Sequence, residues 1–211
     1  MPNSPPYPFA QVGGALCLDF VNTASWQGSE STTEHLATPL ELFRWCSENG
    51  MSDSEMVSAT SLQGMGASAA GYALLRQALK LRKTIYNLFL AVAEHRAPRR
   101  SDLEAFNEIL AASPACLQIQ YQHGCFRCQR KTARKRSEDL LDAIAWSAAD
   151  LLASDDLSWI KRCASDGCGW LFVDKTKNHR RRWCDMADCG SRAKAHRYYQ
   201  RKKNQKKTSP G

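Results

Sequence analysis

The sequence predicts an α+β protein: a mainly helical N-terminal domain with one β-hairpin, followed by a small cysteine-rich module that ends in a basic helix. Three observations lead to this prediction. Apolar residues recur at helical spacing over residues 72–95, apolar and polar residues alternate over residues 117–129, and two cysteine pairs stand near the C-terminus. A chain of 211 residues has room for one ordinary domain and a small module.

The first part of the chain carries signals for short helices. Residues 1–10 are rich in proline and are predicted to form a disordered arm, and the apolar segment GGALCLDFVNT after them fits a strand as well as a helix. From Pro39 the sequence continues as LELFRWCSENG, and its final glycine is typical of the end of a short helix. Ser52 and Glu55 form a capping box that predicts another helix, and residues 64–71 are predicted to form a loop.

The strongest periodic signal covers residues 72–95, where apolar residues step alternately by four and three positions. This spacing places them on one face of a long, buried helix. Pro98 ends that helix, and Ser101 with Glu104 predicts a capping box at the start of the next one, which runs to about Ala112. The residues on the buried face of the long helix are Leu74, Ala78, Leu81, Ile85, Leu88 and Val92.

The period then changes to two, because residues 117–122 and 126–129 alternate on either side of a His-Gly pair, which predicts a β-hairpin. A helical period returns at Ser137, with acidic residues in the first turn, and stops near residues 154–158. We therefore divide the chain near residue 160. The predicted parts are a disordered arm (1–10), an N-terminal domain (11–155), a C-terminal module (160–204) and a disordered basic tail (205–211).

The positive charge lies at one end of the chain. The formal net charge is +8, yet residues 161–211 hold 15 Lys and Arg against 4 Asp and Glu, and the first 160 residues hold 14 against 17. A concentrated basic end favours a polyanionic partner such as nucleic acid, with membrane headgroups as an alternative. The N-terminus has no signal-peptide pattern, and no stretch approaches 18 apolar residues, so we expect a cytoplasmic protein that does not span a membrane.

Four cysteines are spaced as two pairs of metal ligands, Cys163 with Cys168 and Cys184 with Cys189. Each pair encloses four residues, a spacing that suits tetrahedral coordination of Zn²⁺ by thiolates. Four thiolates leave no open position, so we predict a structural zinc that supplies folding energy to the C-terminal module. The alternatives are two disulfides or four unrelated buried cysteines. Cys184→Ser is then expected to unfold this module and spare the N-terminal domain.

Side chains around the cysteines complete the predicted module. His179 and His196 are weaker candidate ligands than the symmetric cysteine pairs. Cys125 and Cys128 also form a CxxC, but on a strand they would point to opposite faces, so a second metal is disfavoured. The residues predicted to form a small core around the metal are Trp170, Leu171, Phe172, Val173 and Trp183.

Good helix formers follow Cys189, and Ser191 is the predicted N-cap. A basic stripe on this helix would neutralise phosphates, and arginine can add bidentate contacts to guanine. The alternative is a solvated basic helix with a frayed tail. The predicted packing side consists of Ala195, Tyr198 and Tyr199. The candidate nucleic-acid contacts are Arg180, Arg181, Arg182, Arg192, Lys194, Arg197, Arg201 and Lys202.

The segment CASDGCGWLFVDKTKNHRRRWCDMADCGSRAKAHRYYQRKK closely resembles the CGNR zinc-finger family. The second cysteine pair of that family reads WCxxxxCGNR before a basic helix; here Gly190 and Arg192 match, and Ser191 replaces the asparagine. The resemblance implies that the four cysteines ligate zinc and that Arg192 belongs to the basic positions. Serine is an equally good N-cap, so the replacement puts a specific asparagine contact in doubt more than the helix.

Upstream, GGALCLDFVNT resembles the opening motif of the ABATE domain, the usual N-terminal companion of this finger. The resemblance covers nearly the whole chain. It implies a bacterial stress-responsive transcription regulator, in which a ligand-sensing or interaction domain is joined to a DNA-binding finger. Asp19, Asn22 and Trp26 are candidates to line a ligand pocket, although we favour the alternative that the two polar side chains tie backbone segments together.

The predicted function is a zinc-dependent DNA-binding regulator. An RNA-binding or ribosome-associated protein is the alternative, because the same basic and tyrosine side chains would serve unpaired bases. An enzyme with a nucleic-acid-targeting finger is disfavoured, since the sequence has no phosphate-cradling glycine loop, nucleophile elbow or HExxH motif. Forming a homodimer would extend the few base pairs that one small finger reads.

Overall fold

The computed structural model describes residues 9–25, 32–51, 68–113, 116–122, 125–131 and 139–208. Within them, the α-helices are α1 (Leu16–Val21), α2 (Pro39–Glu48), α3 (Ala69–Ala93), α4 (Arg100–Ala112), α5 (Asp139–Leu152) and α6 (Ser191–Thr208). Asp155–Trp159 forms a 3-10 helix and Met186–Gly190 a π-helical turn. The strands form three antiparallel pairs: β1 (Ala24–Ser25) with β2 (Thr33–Glu34), β3 (Cys116–Gln122) with β4 (Cys125–Lys131), and β5 (Ile160–Arg162) with β6 (Leu171–Val173). This architecture confirms the predicted α+β class.

Helix α3 is the centre of the N-terminal part, where it packs against α1, α2, α4 and α5. Its predicted apolar face is buried from Leu74 to Leu88, and Val92 is half-buried at the end. The helix begins at Ala69, where the Ser68 hydroxyl accepts a hydrogen bond from the amide of Gly71 at 3.0 Å. The predicted loop therefore gives way to helix earlier than expected.

The other helix ends follow local capping chemistry. Helix α2 begins with a capping box between Thr38 and Glu41, and the chain turns at Gly50, whose φ of 68° suits glycine. The predicted capping box at Ser101 is wrong, because α4 already begins at Arg100 and its N-terminus has no side-chain cap. The ambiguous GGALCLDFVNT segment forms α1, and the helix predicted from Ser52 lies outside the described residues.

The predicted hairpin is confirmed as β3 and β4, which pair in register from Cys116 with Lys131 to Gln122 with Cys125. At the N-terminus, Phe9 is buried in the core of the helical part, and residues 1–8 of the predicted arm lie outside the described residues. No helix among the described residues is both long and apolar enough to cross a lipid bilayer.

Strand β6 has one side chain in the C-terminal module and two in the core of the helical part. Phe172 packs with the four cysteines, while Leu171 and Val173 join the core built by α1, α3 and α5. This corrects the prediction that all three residues surround the metal. Adjacent strand residues point to opposite faces, so a strand lying between two cores must divide its side chains between them.

Hydrogen bonds fix β6 against the GGALCLDFVNT segment. The Asn22 amide group donates to the Leu171 carbonyl at 2.9 Å and accepts from the Leu171 amide at 3.0 Å. Farther along, the Val173 amide donates to the Gly13 carbonyl at 2.8 Å, and the Trp170 indole donates to a carbonyl of β1 at 3.0 Å. The C-terminal module is thereby held at defined atoms of the N-terminal part.

Candidate metal centre

The four cysteines predicted to be ligands come together in space. Their sulfur atoms all lie within 4.8 Å of one another, with Cys184 Sγ 3.7 Å from Cys168 Sγ and 3.6 Å from Cys189 Sγ. All four side chains are buried, and Cys163 completes the group. Four buried sulfurs in one cluster are incompatible with the alternative of four unrelated cysteines.

The sulfur spacing fits a tetrahedral metal. Ligand bonds of about 2.3 Å, as zinc makes to sulfur, place the corners of a tetrahedron about 3.8 Å apart. A disulfide would require a sulfur–sulfur distance of about 2.05 Å. All four thiols are free, which rules out the alternative of two disulfides. His179 and His196 do not belong to the cluster.

Backbone contacts of the first pair hold the sulfurs inward. The amide of Cys163 donates to the Trp170 carbonyl at 2.8 Å, so the ligand follows directly from the β5–β6 pairing. Cys168 lies between Gly167 and Gly169, whose φ values are 75° and 72°. Left-handed backbone on both sides of a residue is accessible mainly to glycine, and it produces the tight turn that returns the chain to β6.

Cys189 of the second pair lies on a helical turn, Met186–Gly190, whose cap differs from the prediction. The Asp185 carboxylate accepts hydrogen bonds from the amides of Ala187 and Asp188, at 2.5 and 3.2 Å. Ser191 is the first residue of α6 and not its N-cap, because the turn Met186–Gly190 leads directly into that helix. Asp185 therefore performs the capping that was predicted for Ser191.

Arg192 lies at the metal centre rather than on the outer surface. Its guanidinium donates to Cys189 Sγ at 2.9 Å and pairs with Asp188 at 3.2 Å. The contacts with Cys163 and the other thiols lower the pKa of Cys189, burial opposes them, and Arg192 lowers it further. A positive charge at this sulfur favours the thiolate that a metal needs.

Arg181 also points inward. It donates to the carbonyls of Trp183 and Val12 at 3.0 and 3.2 Å and to that of Cys184, and its guanidinium carbon lies 4.4 Å from the centroid of the Phe172 ring. Of the three consecutive arginines, only Arg180 and Arg182 are exposed. Their sequence could not distinguish the three, since the distinction depends on which carbonyls the loop presents.

Sequence reasoning missed a buried carboxylate behind the metal centre. Asp174 is fully buried and accepts from Lys161 Nζ at 2.7 Å, from Thr176 Oγ1 at 2.6 Å and from the Arg181 amide at 2.8 Å. Burial raises the pKa of Asp174, but these donors outweigh it and hold the pKa below its ordinary value. The available signal was an aspartate directly after an apolar strand, a common start for a hydrogen-bonded turn.

Helix α6 carries the remaining candidate contacts into solvent. Residues 194–203 are all exposed, and they include Lys194, Arg197, Arg201 and Lys202. The predicted packing side is wrong, because Tyr198 and Tyr199 retain 55% and 69% exposure and Ala195 is exposed as well. Helix α6 contacts the module only through its first turns, next to Met186–Gly190. No other element of the described structure packs on Tyr198 or Tyr199.

The pocket candidates of the GGALCLDFVNT segment bond to backbone. The Asp19 carboxylate accepts from the Gly13 amide at 2.8 Å, and Asn22 holds Leu171 as described above. Trp26 lies outside the described residues. A groove of about 830 Å³ lies nearby, lined by Gly14, Ala15, Ala143, Trp146, Ser147, Asp150, Leu151, Ser154, Asp156 and Lys175.

Asp19→Asn is expected to stabilise the protein above neutral pH. Burial raises the pKa of Asp19 to about 6, so the folded state opposes its ionisation, and stability falls as pH rises from about 4 through 6. Asparagine keeps the oxygen that accepts from Gly13 and removes the charge. Thermal and urea unfolding should show a gain of about 2 kcal/mol at pH 8 that vanishes near pH 4.

The matched control for this prediction is Asp166→Asn, which removes a carboxylate that is 96% exposed and should therefore leave stability at pH 8 unchanged. An Asp19→Asn protein with the same pH profile as the wild type would show that Asp19 ionises without cost in the folded state.

Comparison with known families agrees with both resemblances. The ABATE family model, described as "Putative stress-induced transcription regulator", matches residues 14–155. The CGNR zinc-finger model matches residues 160–202, a span that includes all four cysteines and the exposed part of α6 up to Lys202. No curated protein matches the chain significantly. One description is of a regulator and the other of a zinc finger.

Proposed function

Because the chain belongs to the ABATE family and ends in a CGNR zinc finger, we propose that it is a zinc-dependent DNA-binding transcription regulator. One observation carries the proposal: four buried thiols of metal-ligand geometry lead directly into a helix whose basic side chains from Lys194 to Lys203 are exposed. Its N-terminal domain is proposed to sense a ligand or a partner, and the protein is proposed to act in the cytoplasm.

The thiol cluster supports a structural role for the metal. Cys163, Cys168, Cys184 and Cys189 would hold Zn²⁺, and the bound ion supplies folding energy to a module with a small core of its own. Four sulfur ligands leave no position for substrate. The metal therefore contributes to nucleic-acid binding only indirectly, because it fixes the start of α6 relative to the loop that carries Arg180 and Arg182.

The distribution of cations supports a nucleic-acid surface. Arg181, Arg192 and Lys161 are engaged inside the module, where they stabilise its fold. The cations on the outer surface come from the loop before Cys184 and from α6. Those among the sequence-predicted contacts are Arg180, Arg182, Lys194, Arg197, Arg201 and Lys202, and Lys175, Lys177 and Lys203 are exposed beside them. Together they could follow a phosphate backbone, which supplies affinity through counterion release.

RNA is the second candidate, and the exposed rings of Tyr198 and Tyr199 favour it. Aromatic side chains stack on unpaired bases, which RNA loops contain and duplex DNA does not. Competition of unlabelled duplex DNA and structured RNA against a labelled duplex, at matched salt, separates the two. Stronger competition by duplex DNA supports the proposed function, and stronger competition by RNA overturns it.

The double change Arg197→Ala and Arg201→Ala is expected to weaken nucleic-acid binding while the metal remains bound. Two lost phosphate contacts should reduce the slope of log affinity against log salt by about two. Fluorescence anisotropy over a salt series, with zinc content measured in parallel, checks this. Arg99→Ala with Arg100→Ala removes the same charge from the exposed start of α4 and should leave the slope unchanged.

The 830 Å³ groove is the proposed effector site of the N-terminal domain. It is lined by α5 residues such as Trp146 and Ser147 and reaches Lys175 of the C-terminal module, so a bound molecule would contact both parts. A metabolite screen by NMR should produce shifts at Ser147 and Lys175 together. Binding that leaves both signals unmoved would place the effector elsewhere.

A further inference from the structure

Trp183 stands where the two cationic elements of the surface meet. The guanidinium carbon of Arg182 lies 5.5 Å from the centroid of the Trp183 ring, and that of Arg197 lies 5.9 Å from it. Arg182 comes from the loop before the second cysteine pair, and Arg197 from the second turn of α6. Both distances are within the range of about 6 Å at which a ring attracts a cation.

Each arginine is also held by a second contact. The carbonyl of Arg182 accepts from the amide of Ala164, which ties its backbone to the first cysteine pair at 2.8 Å. Arg197 Nε donates to the Ala193 carbonyl at 3.2 Å. The Arg182 backbone and the Arg197 guanidinium are therefore both anchored beside the ring, and a guanidinium next to a ring keeps edge N–H groups for an anion.

The ring itself is anchored to the metal centre. Trp183 directly precedes Cys184, is half-buried and packs against the core that holds the four cysteines. Its position links the thiol cluster to the orientation of Arg182 and Arg197.

We propose that Trp183 is a positioning residue of the nucleic-acid surface, and that its ring holds Arg182 and Arg197 together as one clamp for backbone phosphate. The inference rests on the proposed function and deepens it. Pre-oriented side chains lose less conformational entropy on binding, so the clamp raises affinity without adding charge. Loss of the metal removes the ring from its position and separates the two arginines.

The test compares W183L and W183F in the full-length, zinc-loaded protein, with a labelled mixed-sequence duplex as the probe. Two cation–ring contacts of about 0.5–1 kcal/mol each correspond to a loss of about 5- to 30-fold in affinity for W183L. The salt slope should not change, because no charge is removed, and the absorption spectrum of bound Co²⁺ should remain that of four thiolates. W183F should lose less affinity, and Y199L, whose ring is exposed, should lose less than W183L.

The same substitutions in an R182A/R197A background separate positioning from a general structural role. There W183L should cost no further affinity, because the cations on which the ring acts are gone. An equal loss in both backgrounds, or wild-type affinity of W183L, overturns the role of Trp183. If W183L fails to bind Co²⁺, the affinity of W183F in the wild-type and R182A/R197A backgrounds is compared instead. A wild-type protein that binds no duplex refutes the proposed function itself, and that result appears before any variant is made.

Discussion

Cys184→Ser is expected to abolish tight metal binding and to destabilise the whole protein. Cys184 Sγ lies against two of the other three sulfurs, so its loss opens the cluster. A structural zinc supplies about 10–16 kcal/mol of apparent folding energy in small modules, as much as the entire stability of an ordinary domain. We expect zinc content to fall and amide exchange to accelerate throughout β5, β6 and α6.

Exchange is expected to accelerate also in α1, outside the module. The sequence alone suggested that the N-terminal domain would be spared. In the structure Leu171 and Val173 belong to the core that α1 helps to build, so an unfolded β6 exposes part of that core. The matched control is Cys46→Ala, which removes a buried thiol outside the cluster and should keep full zinc content. Full zinc content in Cys184→Ser would contradict the assignment of the ligand.

Asn22→Ala is expected to destabilise the protein strongly, although it changes no cysteine. It removes both side-chain partners of the Leu171 backbone at a fully buried position. A buried polar group left without a partner costs about 1–3 kcal/mol, so the loss should be about 2–5 kcal/mol in urea unfolding. Amide exchange should localise the effect to β6 and α1.

Asn49→Ala is the matched control for this prediction. Asn49 also donates to a carbonyl, that of Trp45 at 2.8 Å, but at a half-buried helix end where water can replace it. The expected loss there is below about 1 kcal/mol. Equal effects of the two substitutions would show that the Asn22 bonds do not hold β6 in place.

Much of the fold follows from local patterns. The apolar face of α3 from Leu74 to Val92 and the pairing of β3 with β4 were both predicted from periodicity, which a single sequence shows directly. The thiol cluster could also be predicted from the sequence, because metal coordination requires few residue types at short spacing.

The sequence did not reveal which side chains belong to the helical core and which to the core around the cysteines. Nor did it reveal which charged side chains are exposed and which are buried. Leu171 and Phe172 are neighbours of similar character, and only the position of β6 between two cores assigns them to different ones. Arg192 looked like an outer contact because its charge is visible in sequence, whereas its bond to Cys189 depends on tertiary geometry.

Capping and pocket residues illustrate the same limit. Asp185 and Ser191 are both good caps, and the extra turn Met186–Gly190 decides between them. Asp19 and Asn22 attract attention as polar residues in an apolar run, but their partners lie in loops and in a strand that the sequence does not place.

Genome-fragment selection with the purified protein asks whether a metal-held module presents a basic surface that recognises DNA. Fragments retained at near-physiological salt would be sequenced for the zinc-loaded protein and for an EDTA-treated sample. We expect enrichment of a defined duplex motif in the zinc-loaded sample and no enrichment after EDTA treatment. Equal retention with and without metal would contradict the role of the metal, and retention without any sequence preference would contradict a transcription regulator.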